Sequence, residues 1–204
     1  MRLNINPTRM ELIKLKKRIA VAKRGHKLLK EKRDGLMKKF MEIIKEAKTL
    51  RETIDQKLAK AFRTFLFAAA DMRPEVCEES LSYPSQKLSL EVGTENVMGV
   101  RIPRFKTKLE GDWLCYGLVS TPQELDLSMK LFSEALEDMV KLAQIEHSAS
   151  LLAQEAERTR RRVNALEYVL IPNLEETAKY ITMKLEEQER SAFSSLMRVK
   201  EVIR

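Results

Sequence analysis

Few residues in this chain have a type and spacing that could do chemistry. The densest cluster is the basic run Arg158-Thr159-Arg160-Arg161-Arg162. On a helix such a run covers more than one turn, so its side chains fan around the axis instead of forming one face. A nucleic-acid site wants its cations on one face; a fanned collar suits a surface gripped by protein partners. His26 and His147 have no carboxylate-rich ligand spacing around them, and Cys77 and Cys115 form no CxxC, the spacing expected of a zinc or redox site. There is no Gly-Lys dipeptide, hence no Walker-type phosphate loop, and no GxSxG or HExxH. We therefore expect no catalytic residue, no metal and no cofactor. By itself this chain is not expected to be an enzyme.

The elements that position these residues are helices. Reading every three and four residues from Leu12 gives Leu12, Leu15, Ile19, Ala22, His26, Leu29, Arg33, Leu36, Phe40, Ile43, Ala47, Leu50 and Ile54. Only His26 and Arg33 break the apolar run, and the positions between are mostly Lys, Arg and Glu. A heptad repeat held this long is the pattern of a coiled-coil helix. The two polar seam residues then read as register-setting rather than as ligands. Six glycines, six prolines and 6% aromatics among 33% charged residues argue for long helices and against a sheet-based enzyme fold.

Charge is uneven. Residues 1–70 carry 20 Lys+Arg against 7 Asp+Glu, a net of +13, and the remainder nets −5, which recovers the overall +8. A basic first helix attracts an acidic remainder and acidic partners. Because its basic residues surround the seam, a solvated face is favoured over nucleic-acid binding. The scattered cysteines read as reduced cytosolic thiols. Met1 to Thr8 lacks the apolar core of a signal peptide, and the apolar run Phe65 to Ala70 is too short to cross a bilayer. The expected location is the cytoplasm.

In chain order, Asn6 or Thr8 caps the first helix, with Glu11 placed to close a capping box. The helix runs to about Ala70, roughly 90 Å at the standard rise, and stops before Pro74. Gly25 and Gly35 inside it are either tolerated glycines or points of close packing. Residues 74–79 suit a short helix. Leu88, Leu90 and Val92 alternate with Ser89 and Glu91 as a strand over 87–92. A turn at Gly93-Thr94-Glu95-Asn96 leads to a second strand over 97–102, ended by Pro103. Phe105 to Val119 is extended or irregular, with Trp113 and Tyr116 as anchors. Thr121-Pro122-Gln123-Glu124 starts the second long helix. Its stripe runs through Phe132, Ala135, Met139, Leu142, Ala149, Leu152 or Ala153, Ala156, Val163, Leu166, Leu170, Leu174, Ile181, Leu185, Ala192, Leu196 and Val199. Pro172 deletes one backbone bond and costs about 3 kcal/mol or bends the helix.

The expected fold is dominated by helix: a long antiparallel two-helix coiled coil with a small middle region that contains a β-hairpin. Residues 1–70 form the first shaft helix, 71–123 the small region and 124–204 the second shaft helix. With flush ends, partner numbers add to about 207 at matched helical rise, which sets Leu15 beside Ala192 and Gly35 opposite Pro172. Each buried seam leucine contributes roughly 1.5–3 kcal/mol, so the pair needs no disulfide.

Two stretches carry a resemblance. Asn6-Pro7-Thr8-Arg9-Met10, with Arg24-Gly25-His26-Lys27-Leu28-Leu29-Lys30-Glu31-Lys32-Arg33-Asp34, resembles the start of the D subunit of the V-type and archaeal-type rotary ATPases. Arg161-Arg162-Val163-Asn164-Ala165-Leu166-Glu167-Tyr168-Val169-Leu170-Ile171-Pro172 is similar to that family's C-terminal signature. The resemblance spans essentially the whole chain; in residues 71–123 it rests on the hairpin alone. The short C-terminus is similar to that of bacterial members. The resemblance implies a central rotor shaft whose joined termini enter the bore of a hexamer of catalytic and non-catalytic subunits. A small central-stalk F subunit clasps the shaft, and its foot rests on a funnel-shaped subunit above the membrane ring. ATP is handled in the hexamer. Partner contacts are expected at Asn6, Pro7, Thr8, Arg9, Arg24, Arg160, Arg161, Arg162, Asn164 and Glu167. The rival readings are a coiled-coil scaffold or tether, which needs the heptads without the two motifs, and a nucleic-acid binder.

Overall fold

A computed structural model describes residues 5–117 and 121–203 of the chain; the parts of the sequence expectations that touch 1–4, 118–120 and 204 lie outside them. Helix accounts for 78% of the described residues. The elements in order are α1 (Arg9–Asp71), α2 (Pro74–Ser82), β1 (Lys87–Val97), β2 (Val100–Glu110), α3 (Gln123–Ala165), a π-helical turn (Leu166–Leu170) and α4 (Ile171–Val202). The contacts divide into two compact units. One joins Met1–Gly35 with Ala156–Arg204, and the other is Leu36–Glu155.

Local chemistry starts α1 and opens α2 where expected. The Glu11 amide donates to the Thr8 hydroxyl at 3.3 Å, so Thr8 caps α1. Glu11 instead receives the Lys14 ammonium. Pro74 ends the first helical run by opening α2, and Arg73 before it is extended, with φ −69° and ψ 138°, as a residue preceding proline must be. All thirteen seam positions of α1 from Leu12 to Ile54 are buried or half-buried. The stripe then continues through Ala61 and Ala68, both fully buried.

In the first unit the early turns of α1 lie antiparallel to α4. Leu15, Leu174 and Ile181 form the core, flanked by Ile5, Leu12, Ile19, Ala22, Tyr180 and Leu185. Arg9 pairs with Glu189, Lys23 with Glu175 at 2.7 Å, and His26 with Glu167 at 3.3 Å. These partners correct the expected register: Leu15 sits with Leu174 and Ile181, not Ala192, a slip of about nine residues or roughly 13 Å of helix. The cause lies in 186–191, which are all polar (Glu-Glu-Gln-Glu-Arg-Ser) and offer the seam nothing to bury. Beyond Leu185 every described residue of α4 is exposed, so Ala192, Leu196 and Val199 are not seam residues. Pro172 therefore lies level with the Lys23–His26 stretch, not with Gly35. A side chain added at nearby Gly25 would meet nothing within 4 Å, so Gly25 is a tolerated glycine.

Pro172 is accommodated by the π-helical turn before it. The Ile171 amide donates to the Leu166 carbonyl, five residues back. In so wide a turn, residues five apart stack on one another. The seam therefore passes from Leu166 to Ile171, and Leu170, expected on the stripe, is turned outward at 46% exposure.

In the second unit the later turns of α1 lie antiparallel to α3, with Arg51 near Glu146 at 3.6 Å and Lys57 bonded to Asp138 at 2.6 Å. Small buried residues line this seam, namely Ala61, Ala68, Ala135, Ser128 and Ser148. They let the backbones approach closely, and each buried hydroxyl donates to its own helix, Ser128 to Leu125 and Ser148 to Gln144. Phe62 meets Phe132 edge-on, with ring centres 5.1 Å apart.

The hairpin is longer than expected and turns elsewhere. β1 and β2 pair antiparallel from Lys87↔Glu110 to Val97↔Val100. The turn is Met98-Gly99, with φ 52° and 85°, both positive as a type I′ hairpin requires. Gly93-Thr94-Glu95-Asn96 has turn-like composition but lies inside β1, paired with residues 101–104 of β2. The Asn96 side chain accepts the Gly99 amide. Phe105 to Glu110 is strand, not irregular chain. Gly111, at φ +95°, packs so closely on the Ser85 carbonyl that any side chain would collide with it.

Candidate functional site

The candidate partner-contact residues all belong to the first unit, and they divide by what their side chains already do. Pro7 is half-buried and Thr8 is the α1 cap. The Asn6 carbonyl accepts the Thr8 amide. Arg9 is held by Glu189 and Glu167 by His26, so these two tie α1 to the return helix. His26 thus pairs across to the return helix. Arg33 does not: its guanidinium bonds its neighbour Asp34 at 2.7 Å. Arg24 reaches back to the Ala20 carbonyl on its own helix.

The basic collar is built around an acidic centre. Glu157 accepts Arg161 at 2.9 Å and has Arg160 at 3.6 Å. The Arg161 hydrogen bond, followed by the charge of Arg160, holds the Glu157 carboxyl below its usual range. Arg160, Arg161, Arg162 and Asn164 are exposed, whereas Thr159 is buried at 1%. The run therefore fans around the helix, interrupted on its inner side.

Two surfaces were missed by reasoning on the seam. One is the end of α4 and the residue after it, where Phe193, Leu196, Met197, Val199, Val202 and Ile203 are each more than half exposed, with no partner helix among the described residues. The signal was present in the all-polar stretch 186–191, which separates these residues from the seam. The other is the outer side of the π turn, where Tyr168 is 72% and Val169 57% exposed.

In the second unit, an apolar cleft of about 320 Å³ is lined by Trp113, Met129, Phe132, Leu136 and Met139, among others. Among its described lining residues no nucleophile is paired with a base. Nearby, Tyr116 donates to Asp126 at 2.7 Å; burial, then that bond, pushes its phenol well above the ordinary tyrosine value. The Asp138 bond raises the Lys57 ammonium, and the same bond lowers the Asp138 carboxyl. Among the described residues no group of three His, Cys, Asp or Glu is placed to hold a metal ion. No helix among them is long and apolar enough to cross a membrane. What the arrangement offers is paired helices with exposed apolar and basic surfaces.

Comparison with known proteins finds relatives over nearly the full length. The family model for the ATP synthase D subunit matches residues 11–201. The V-type ATP synthase D subunit of Thermoanaerobacter sp. (strain X514) is 49% identical over 203 residues, covering 98% of this chain and 97% of that one. The protein of the same name from Clostridioides difficile (strain 630) is 52% identical over 205 residues, covering 99% and 92%. That of Clostridium botulinum (strain ATCC 19397 / Type A) is 48% identical over 208 residues, covering 100% and 96%.

Proposed function

Since this chain belongs to the ATP synthase D-subunit family, we propose that it is the central rotor shaft of a V-type ATP synthase or ATPase. In this reading it carries torque between a catalytic hexamer and a membrane ion-translocating ring, and is itself non-catalytic. The observation that carries the reading is the unbroken 63-residue α1. Within each unit it runs antiparallel to a helix whose seam side chains interlock with its own. Such a pair resists twisting, because turning one helix past the other would expose buried leucines at roughly 1.5–3 kcal/mol each. Pro172 would be the weak point of the return helix, and the π turn keeps the backbone helical there.

The partners follow from the same reading: the catalytic and non-catalytic subunits of the hexamer, the small central-stalk F subunit, and the funnel-shaped subunit that links to the membrane ring. The chain sits on the cytoplasmic side, peripheral to the membrane. The unpaired end of α4 is the part that enters the hexamer bore. Its exposed Phe193, Leu196 and Met197 offer non-directional apolar contacts that can slide past successive subunits, whereas deep, directional polar contacts would pin it.

A reversible disulfide tests this. A cysteine at Ser195, which is exposed, is paired with one on the hexamer wall in the reconstituted complex. Oxidation should stop sustained ATP turnover and reduction should restore it. Unchanged turnover with the cross-link fully formed would overturn the rotor role and leave a static scaffold.

A further inference from the structure

We propose that β1 is a docking edge, at which an extended segment of another protein of the assembly adds as a third strand to the hairpin. The proposal rests on the rotor-shaft reading above and adds a partner geometry to it.

The two outer edges of the hairpin are not alike. A two-residue turn closed by Val97↔Val100 makes that pair a hydrogen-bonded one, and the pattern alternates along the ladder. Residues 97, 95, 93, 91, 89 and 87 therefore turn their amide and carbonyl toward β2. Leu88, Leu90, Val92, Thr94 and Asn96 turn theirs outward. On β2 the outward residues are Arg101, Pro103, Phe105, Thr107 and Leu109. The Phe105 amide confirms this phase, since it donates to the Gln144 side chain of α3 at 2.7 Å. Pro103 has no amide to offer. Ile102, Pro103, Phe105 and Leu109 are half-buried. The β2 edge is thus closed by a proline and a helix, two of the usual means by which proteins blunt an edge strand.

β1 has neither device. Every residue from Lys87 to Asn96 is exposed, and among the described residues no backbone bond from any segment but β2 reaches it. The residues with outward amides also carry the apolar side chains: Leu88, Leu90 and Val92 are 38%, 45% and 62% exposed. They share one face with Phe105 and Leu109 across the ladder. On the opposite face Glu91 is held by Lys108 at 2.5 Å and Glu95 lies 3.8 Å from Arg104. The hairpin's own cations therefore balance the charges that would otherwise repel an incoming strand.

Alternating free backbone groups over nearly thirty ångströms, about 3.4 Å per residue, match only another extended chain. The geometry fits a segment of about nine residues with apolar side chains at every second position, the strand-addition mode of peptide recognition. A second copy of β1 fits poorly. Centred on Leu90, it aligns only the three apolar residues; centred on Val92, it sets Leu88 against Asn96 and Leu90 against Thr94.

The test is residue-resolved hydrogen exchange on the full chain, alone and in the reconstituted complex. Alone, the amides of Leu88, Leu90, Val92 and Thr94 should exchange quickly while those of Ser89 and Glu91 are slowed by the hairpin. In the complex the first set should slow by about tenfold or more. Leu90→Pro removes one outward amide without touching an inward bond. It should abolish the slowing of the first set in the complex, while the protection of Ser89 and Glu91 reports that the hairpin survives. Outward amides that exchange equally fast in the complex would overturn the proposal and leave the rotor-shaft reading intact. Slowing that appears in the isolated chain as its concentration rises would overturn it in favour of a second copy. A chain that joins no complex would overturn both.

Discussion

At the scale of single residues, the charge pairs behave according to exposure. Asp138 is well protected, its side chain 22% exposed beneath Lys57. Its carboxyl is lowered by the Lys57 hydrogen bond first and by both neighbouring lysine charges after it. A lowered carboxyl contributes stability that is complete above the ordinary carboxylate range and is lost as pH falls through the lowered value. Lys57, raised by the same bond, contributes at all pH below the ordinary lysine value and loses its contribution as pH rises through the raised one. Asp138→Asn should therefore flatten the pH dependence of stability at both extremes, and because a partly buried pair in direct contact is screened less than an exposed one, the effect should persist at high salt. Denaturation midpoints measured across pH in low and high salt check this. The paired role of His26 was legible as a polar break in the seam, because only a partner justifies burying it. Its partner, Glu167, was not legible, because that depends on a register no local pattern encodes. Arg33 looked equivalent to His26 and is not: Asp34, one residue on, satisfies it first.

At the scale of elements, what could be read from the sequence was periodicity, and what could not was register. The stripe of α1 was legible throughout because each heptad repeats the same demand. The return helix was legible only up to its irregularities. Pro172 was visible, but its cure, a wide turn that swaps Leu170 for Ile171, depends on backbone geometry that side-chain spacing does not record. This gives a sharp contrast for chemical denaturation of the chain. Leu170→Ala should cost less than about 1 kcal/mol, because the side chain is already half in water. Leu174→Ala, 5% exposed in the core with Leu15 and Ile181, should cost about 2–5 kcal/mol. Equal losses would place Leu170 back on the seam. The hairpin was legible as alternation, yet its turn was misplaced: four turn-forming residues in β1 outscore the pair Met98-Gly99 by composition, while only φ decides. Because Ser85 and Gly111 lie against each other, residues 87–110 can be removed and the gap closed from Gln86 to Gly111. The shortened chain should keep its helical circular dichroism and most of its thermal stability, since the hairpin contributes only Val100 to the buried core. Loss of the helical signal would show that β2 does more for α3 than cover Gln144.

At the scale of the whole molecule, the family was legible from the two motifs, and the match over residues 11–201 bears them out. The surfaces were less so, because exposure is settled by which residues fail to find a partner. The end of α4 is the plainest case. Its last turns carry apolar side chains that are more than half exposed, and among the described residues no second helix lies against them beyond Glu189. A short helix without tertiary support is marginal in water. Those turns should then open often in a lone chain and seldom once seated in a partner, which makes them a built-in reporter of orphan copies. Limited trypsin digestion should cleave first at Arg190, Arg198 and Lys200 in the isolated chain and spare them in the complex, while the sites between Leu12 and Ile54 resist in both. A cell that degrades from loosened ends would, by the same physics, clear surplus copies and leave assembled ones alone, so the stoichiometry of the complex could be corrected after synthesis by proteolysis alone.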